Sequence, residues 1–199
     1  MKINKLMLKE VLRKLLHFVL GLAVLLAGIF LRDKVELKVV LIWVFVALVI
    51  LIIIDYFRIE FKLEIPFYSH FIRDKEADRF NGLIYGLIAT LLIFTFLPFE
   101  IALAALSMAI FGDAVACLVG KHLGGPKVFK KKTFVGSTAA FIINILVGVV
   151  VLSNIVVIIV MALMATFVEL SVDKIEDNLV VPVFTGIAGV VALYLIQFM

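Results

Sequence analysis

Seven apolar runs alternate with polar segments along the chain: Leu15–Leu31, Leu37–Ile54, Gly82–Leu97, Ile101–Val119, Phe134–Leu152, Ile155–Leu170 and Leu179–Phe198. Each predicts a membrane-spanning helix. Several fall short of the ~20 residues that usually cross the hydrocarbon core, so flanking charged residues extend them into the interface. Pro98 and the pair Ser153-Asn154 predict tight turns, and hence two helical hairpins. The longest polar segment, Asp55–Asn81, mixes charges with Phe57, Phe61, Phe67, Tyr68, Phe71 and Phe80. It reads as an amphipathic interfacial piece with a mostly solvated charged face, divided at Pro66. The expected fold is all-α: a polytopic helical membrane protein of about seven transmembrane helices, in one domain over residues 1–199.

Composition agrees with the pattern. The 199 residues are 65% hydrophobic, with a mean hydropathy of +1.25, which excludes an ordinary soluble domain. The single cysteine, Cys117, lies in an apolar run and builds no disulfide framework. The first run lacks a small-residue cleavage site and reads as a retained helix. Charge placement adds an orientation. With the N-terminus in the cytoplasm, sixteen of the Lys and Arg residues fall on the cytoplasmic side. Only Arg32, Lys34 and Lys38 fall on the other.

Candidate chemistry centres on Gly112–Ala139. On a helix, Ala116 and Gly120 follow Asp113 at i+3 and i+7. They leave its face open to a ligand or to another backbone. A carboxylate inside a span is rare and usually functional. Gly124 and Gly125 allow a turn with exposed N–H groups. The lysines that follow, Lys127 and Lys130–Lys132, suit phosphate, or serve only as a topology signal. Gly136, Ser137 and Thr138 then open the fifth run, and a helix N-terminus there is a natural anion site. Asn144, deeper in that run, reads as inter-helix glue.

Two flanking clusters join this one. Glu10, Arg13, Lys14, His17 and Gly21 share one helical stripe, which is either functional or a snorkelling basic anchor. If the sixth helix runs on, Glu169, Asp173, Glu176 and Asp177 share a face. Oxygen ligands of that kind suit Mg²⁺, particularly when phosphates complete the coordination. With seven spans, all of these clusters lie at the cytoplasmic face, together with Arg73, Glu76 and Asn81.

At these residues the chain resembles the CTP-dependent lipid kinases: dolichol, phytol and CTP-using diacylglycerol kinases. Glu10, Arg13, Lys14 and His17 match the Glu-x-x-Arg-Lys-x-x-His of that family. Asp113, Ala116, Gly120, Gly124, Lys127, Lys131, Lys132, Thr133, Gly136, Ser137 and Ala139 match its nucleotide stretch. Glu169, Asp177, Asn178 and Pro182 match its closing acids and proline. Val135 stands where the family often has Glu, and the spacer after Lys127 is about one residue short.

The resemblance implies a kinase moving the γ-phosphoryl group of CTP to a membrane lipid hydroxyl, most of all a polyprenol or dolichol-type alcohol. Asp113, Glu169 and His17 are the expected catalytic residues. Gly120, Gly124, Lys127, Lys131, Lys132, Thr133, Gly136, Ser137, Arg13 and Lys14 are expected to hold the nucleotide. Asp113, Asp173, Asp177 and Asn178 are expected to hold Mg²⁺. The expected partners are CTP, a lipid alcohol and the bilayer, with no nucleic acid; a homodimer is left open. The alternatives are a membrane cytidylyltransferase making a CDP-lipid and a small ion-coupled transporter.

Overall fold

The computed structural model describes residues 18–19, 22–30, 33–63, 72, 76–129, 132–172 and 176–198. Residues 18, 19 and 22–30 are helical (α1). Six more helices follow: α2 (Leu37–Phe61), α3 (Gly82–Phe96), α4 (Phe99–Leu123), α5 (Phe134–Val151), α6 (Ile155–Ser171) and α7 (Asp177–Gln197). Between α4 and α5 lie two short antiparallel strands, β1 (Lys127–Phe129) and β2 (Lys132–Thr133). Among the described residues, α2, α4, α5 and α7 are long and apolar enough to cross a membrane. Helices α3 and α6 are apolar but shorter, at 15 and 17 residues. The chain is an all-α membrane protein.

The turns fall where the sequence marks them. Leu97-Pro98 joins α3 to α4, and Leu152 to Asn154 joins α5 to α6. Asn154 caps α6, its Oδ1 accepting from the Val156 and Val157 N–H groups. Three expectations are corrected. Helix α2 runs past Ile54 to Phe61, so the first quarter of the Asp55–Asn81 segment is helix. The lysine loop contains a β-hairpin, whose strands are too short to leave a periodic signal. The sixth helix does not run on through its acids: α6 ends at Ser171, Val172 is extended, and a new helix begins at Asp177, with Glu176 at its N-cap position.

Helix α4 is the axis of the packing. It buries eleven residues along its length and packs on α3, α5, α6 and α7. Lipid tails are as apolar as leucine, so close van der Waals fit, rather than escape from water, holds such helices together. The glycines show how close the fit is. A Cβ at Gly148 of α5 would stand 2.6 Å from Ile158 Cγ2 of α6, and one at Gly189 of α7 would stand 2.5 Å from Met161 Sδ. Met108, Met161 and Ala105 are fully buried at the centre of this core. Helix α2 is different: Ile42, Trp43 and Phe45 point outward, as on a lipid-facing helix.

A buried ion pair ends α2. Arg58 Nε donates to Asp55 Oδ1 at 2.8 Å, with the two side chains 7% and 0% exposed. The rest of the guanidinium donates to the backbone carbonyls of Glu76, Ala77 and Arg79 at 3.1, 2.9 and 2.6 Å. Asp55 Oδ2 accepts from the Asn81 N–H at 2.6 Å. The segment before α3 is therefore held to α2 from inside. This overturns the reading of Asp55 and Arg58 as part of a solvated face. The segment also reaches α7, where Asn178 Nδ2 donates to Gly82 O at 3.0 Å.

Candidate active site

The hairpin and the first turn of α5 are built by local chemistry. Gly124 and Gly125 both have positive φ, +68° and +110°, which turns the chain out of α4. Thr133 caps α5, its Oγ1 accepting from the Gly136 N–H at 3.2 Å. The Ser137 hydroxyl donates to Thr133 O, and the Phe134 N–H donates to Pro126 O. Two N–H groups of the α5 N-terminus thus already have intramolecular acceptors.

The small residues beside Asp113 receive a backbone. A Cβ at Gly136 would stand 2.7 Å from Ala116 O, and one at Gly120 would stand 2.8 Å from Thr133 Oγ1. Ala116, Gly120 and Gly136 are where α4 and α5 cross, with the cap of α5 pressed into the crossing. Gly120, Thr133, Gly136 and Ser137 are thereby placed as the frame of the lysine hairpin.

The frame delivers a lysine to the acids. Lys132 Nζ lies 2.9 Å from Glu169 Oε1, with side chains 31% and 13% exposed. Asp113 on α4, Glu169 near the end of α6 and Asp177 at the start of α7 converge, with one oxygen from each lying within 4.8 Å of the others. Sequence reasoning named all three but joined Glu169 to Asp177 along one helix. They meet instead across the α6–α7 corner, and Asp113 comes from a third helix. A narrow crevice leads inward from Asp113 and Glu169. Asn144, Gly112 and Met108 line it, along with small apolar side chains.

The other expected residues separate. Lys127 is exposed on β1, and Gly124 lies in the turn before it. Asn178 is beside Asp177, but its amide nitrogen donates to α3. Arg13, Lys14, His17, Lys131 and Asp173, with Glu10, Arg73 and Lys130, lie outside the described residues. Sequence reasoning missed the Lys132–Glu169 link and the place of Asn144 in the crevice. The Asp55-x-x-Arg58 spacing at the end of an apolar run was the one signal that could have revealed the α2 latch.

No protein-family model and no solved structure matches the chain. Three curated proteins do. The chain is 27% identical over 143 residues to "CTP-dependent diacylglycerol kinase 1" of Eremothecium gossypii, covering 69% of this chain and 44% of that protein. It is 27% identical over 143 residues to the protein of that name from Saccharomyces cerevisiae, covering 69% of this chain and 48% of that protein. A shorter match to the Schizosaccharomyces pombe protein of the same name is 31% identical over 75 residues, 37% of this chain and 34% of that one. The matched stretch spans a little under half the length of the first two relatives. These matches bear out the family read from the motifs: the chain is similar to the CTP-dependent lipid kinases.

Proposed function

We propose that the chain is a CTP-dependent lipid kinase, transferring the γ-phosphoryl group of CTP to the hydroxyl of a membrane lipid. The observation that carries the reading is the convergence of Asp113, Glu169 and Asp177, with Lys132 of the lysine hairpin bound to Glu169. Carboxylates and a lysine gathered at the end of a membrane bundle suit a triphosphate and its metal.

The carboxylates fit Mg²⁺. Ligand oxygens at about 2.0–2.1 Å from Mg²⁺ stand roughly 3 to 4 Å from one another. Oxygens within 4.8 Å need only small side-chain rotations to close that set. Asp113, Glu169 and Asp177 would hold the ion, which when bound supplies positive charge to the phosphoryl oxygens. Lys132 would hold the phosphates as a point charge while keeping Glu169 in place. Asp113, beside the crevice, would receive the hydroxyl proton as the lipid oxygen bonds to the γ-phosphorus and CDP leaves.

The relatives' names make diacylglycerol the first acceptor to test, ahead of the polyprenol expected from the motifs; both are neutral lipid alcohols. In mixed micelles, label from γ-³²P CTP is expected in the lipid, and label from α-³²P CTP is expected to stay in CDP. Lipid labelled only from the α position would instead establish a cytidylyltransferase.

The same reading puts the acidic end of the bundle in the cytoplasm, on the strength of the Lys and Arg distribution. Single cysteines at Lys127 and Lys34, in a background lacking Cys117, test this in sealed cells. An impermeant thiol reagent should label only the Lys34 site from outside. The opposite pattern would reverse the topology.

A further inference from the structure

Inward of the carboxylates, the crevice reaches Asn144 on α5. This side chain is 1% exposed and forms part of the crevice wall together with Asp113 and Glu169. Its amide lies against Gly112 of α4, where a Cβ would stand 2.9 Å from Oδ1 and 3.1 Å from Nδ2. The residue before Asp113 thus makes room for this amide by having no side chain.

The two ends of the amide can be told apart from its neighbour. Thr166 Oγ1 donates to Ala162 O at 2.9 Å. A hydroxyl has one proton, so towards Asn144 it offers only a lone pair. Asn144 therefore turns Nδ2 to Thr166, at 3.5 Å. Its Oδ1 is buried and has no hydrogen-bond partner among the described residues. Buried acceptors almost always have one. The remaining walls, Met108, Ala109, Ala140, Ala165 and Val181, carry no donor side chain. The crevice as it stands is too tight for a water, so solvent does not meet this oxygen there. A ligand that parts these walls would bring the donor that the described residues do not supply.

We propose that Asn144 Oδ1 accepts the hydrogen bond of the lipid hydroxyl and holds that hydroxyl beside Asp113. The inference rests on the kinase reading and adds the group that recognises the acceptor. It also gives a basis for selectivity. An alcohol brings a donor to this oxygen, whereas an ester or an ionised phosphate brings only acceptors and leaves Oδ1 unmatched.

The test uses the full chain in mixed micelles with γ-³²P CTP. It compares diacylglycerol, or whichever lipid alcohol the protein phosphorylates, with the deoxy analogue that lacks only the hydroxyl. For the unaltered protein, the ratio of the analogue's Ki to the alcohol's KM is expected to be about 10 or more, the scale of one buried hydrogen bond. In Asn144→Leu that ratio should fall towards 1, the lipid KM should rise about tenfold, and the KM for CTP should stay within about twofold. Thr166→Val leaves Asn144 in place but removes the oxygen that orients it. It should lower the ratio in the same way, and it serves where the leucine variant fails to fold. If the unaltered protein labels a lipid but the ratio survives in a folded variant, the role of Asn144 is overturned while the kinase reading stands. If no lipid alcohol takes the γ-label, the kinase reading falls and this inference with it.

Discussion

Asp113→Asn is expected to lower CTP-dependent lipid phosphorylation by at least about 10²-fold while leaving a folded protein in detergent. Asparagine keeps the outline of the side chain and removes the charge. Asp113 is the carboxylate shared by both halves of the site. One of its oxygens lies within 4.8 Å of Glu169 and Asp177 oxygens, and the residue also lines the crevice that leads to Asn144. Neutralising it would weaken the metal set and remove the base for the hydroxyl together. Label transfer from γ-³²P CTP, read beside thermal unfolding of the same preparation, decides the matter. A folded variant with near-normal transfer would return Asp113 to a packing role.

The largest effect on stability is expected at the end of α2, at Arg58→Met. Removing one partner of a buried ion pair leaves the other charge without its counter-ion, at about 3–5 kcal/mol. Here the guanidinium also serves the carbonyls of Glu76, Ala77 and Arg79. For a chain of this size, that loss lowers the thermal midpoint by roughly 10 °C or more. Joining Asp55→Leu to Arg58→Met should recover part of the loss, because neither member of the pair is then left buried without the other. A single variant melting within a couple of degrees of the unaltered protein would show that the latch contributes little.

The helices were legible because an apolar run and a turn residue are local signals. Pro98 and Asn154 mark their corners with almost no help from the rest of the chain. The acids were legible as chemistry but not as geometry. Nothing local reveals that the helix after Glu169 breaks at Val172, so Asp177 was placed along a face that does not exist. The glycines divided in the same way. Gly124 and Gly125 show in the sequence as a turn, whereas Gly120 and Gly136 gain their meaning only when α4 and α5 cross. Asp55 and Arg58 read as part of a solvated interfacial face, since an i, i+3 pair at the end of an apolar run looks the same solvated or buried. What buries it is a segment some twenty residues downstream.

Helix α4 is longer than a bilayer core, and Asp113 is not at its end. From Phe99, its 25 residues rise to about 38 Å, while Asp113 stands only ~21 Å along it, short of the ~30 Å hydrocarbon thickness. With Phe99 at one boundary, Asp113 would lie below the opposite one, while Asp177, the first residue of the 21-residue α7, and the lysine hairpin after α4 would stand at or above it. Under the proposed reaction the nucleotide descends to the lipid, and the lipid is not lifted to the nucleotide. The acceptor then never leaves its two-dimensional solvent, so the rate would follow its mole fraction in the membrane and not its amount per volume of suspension.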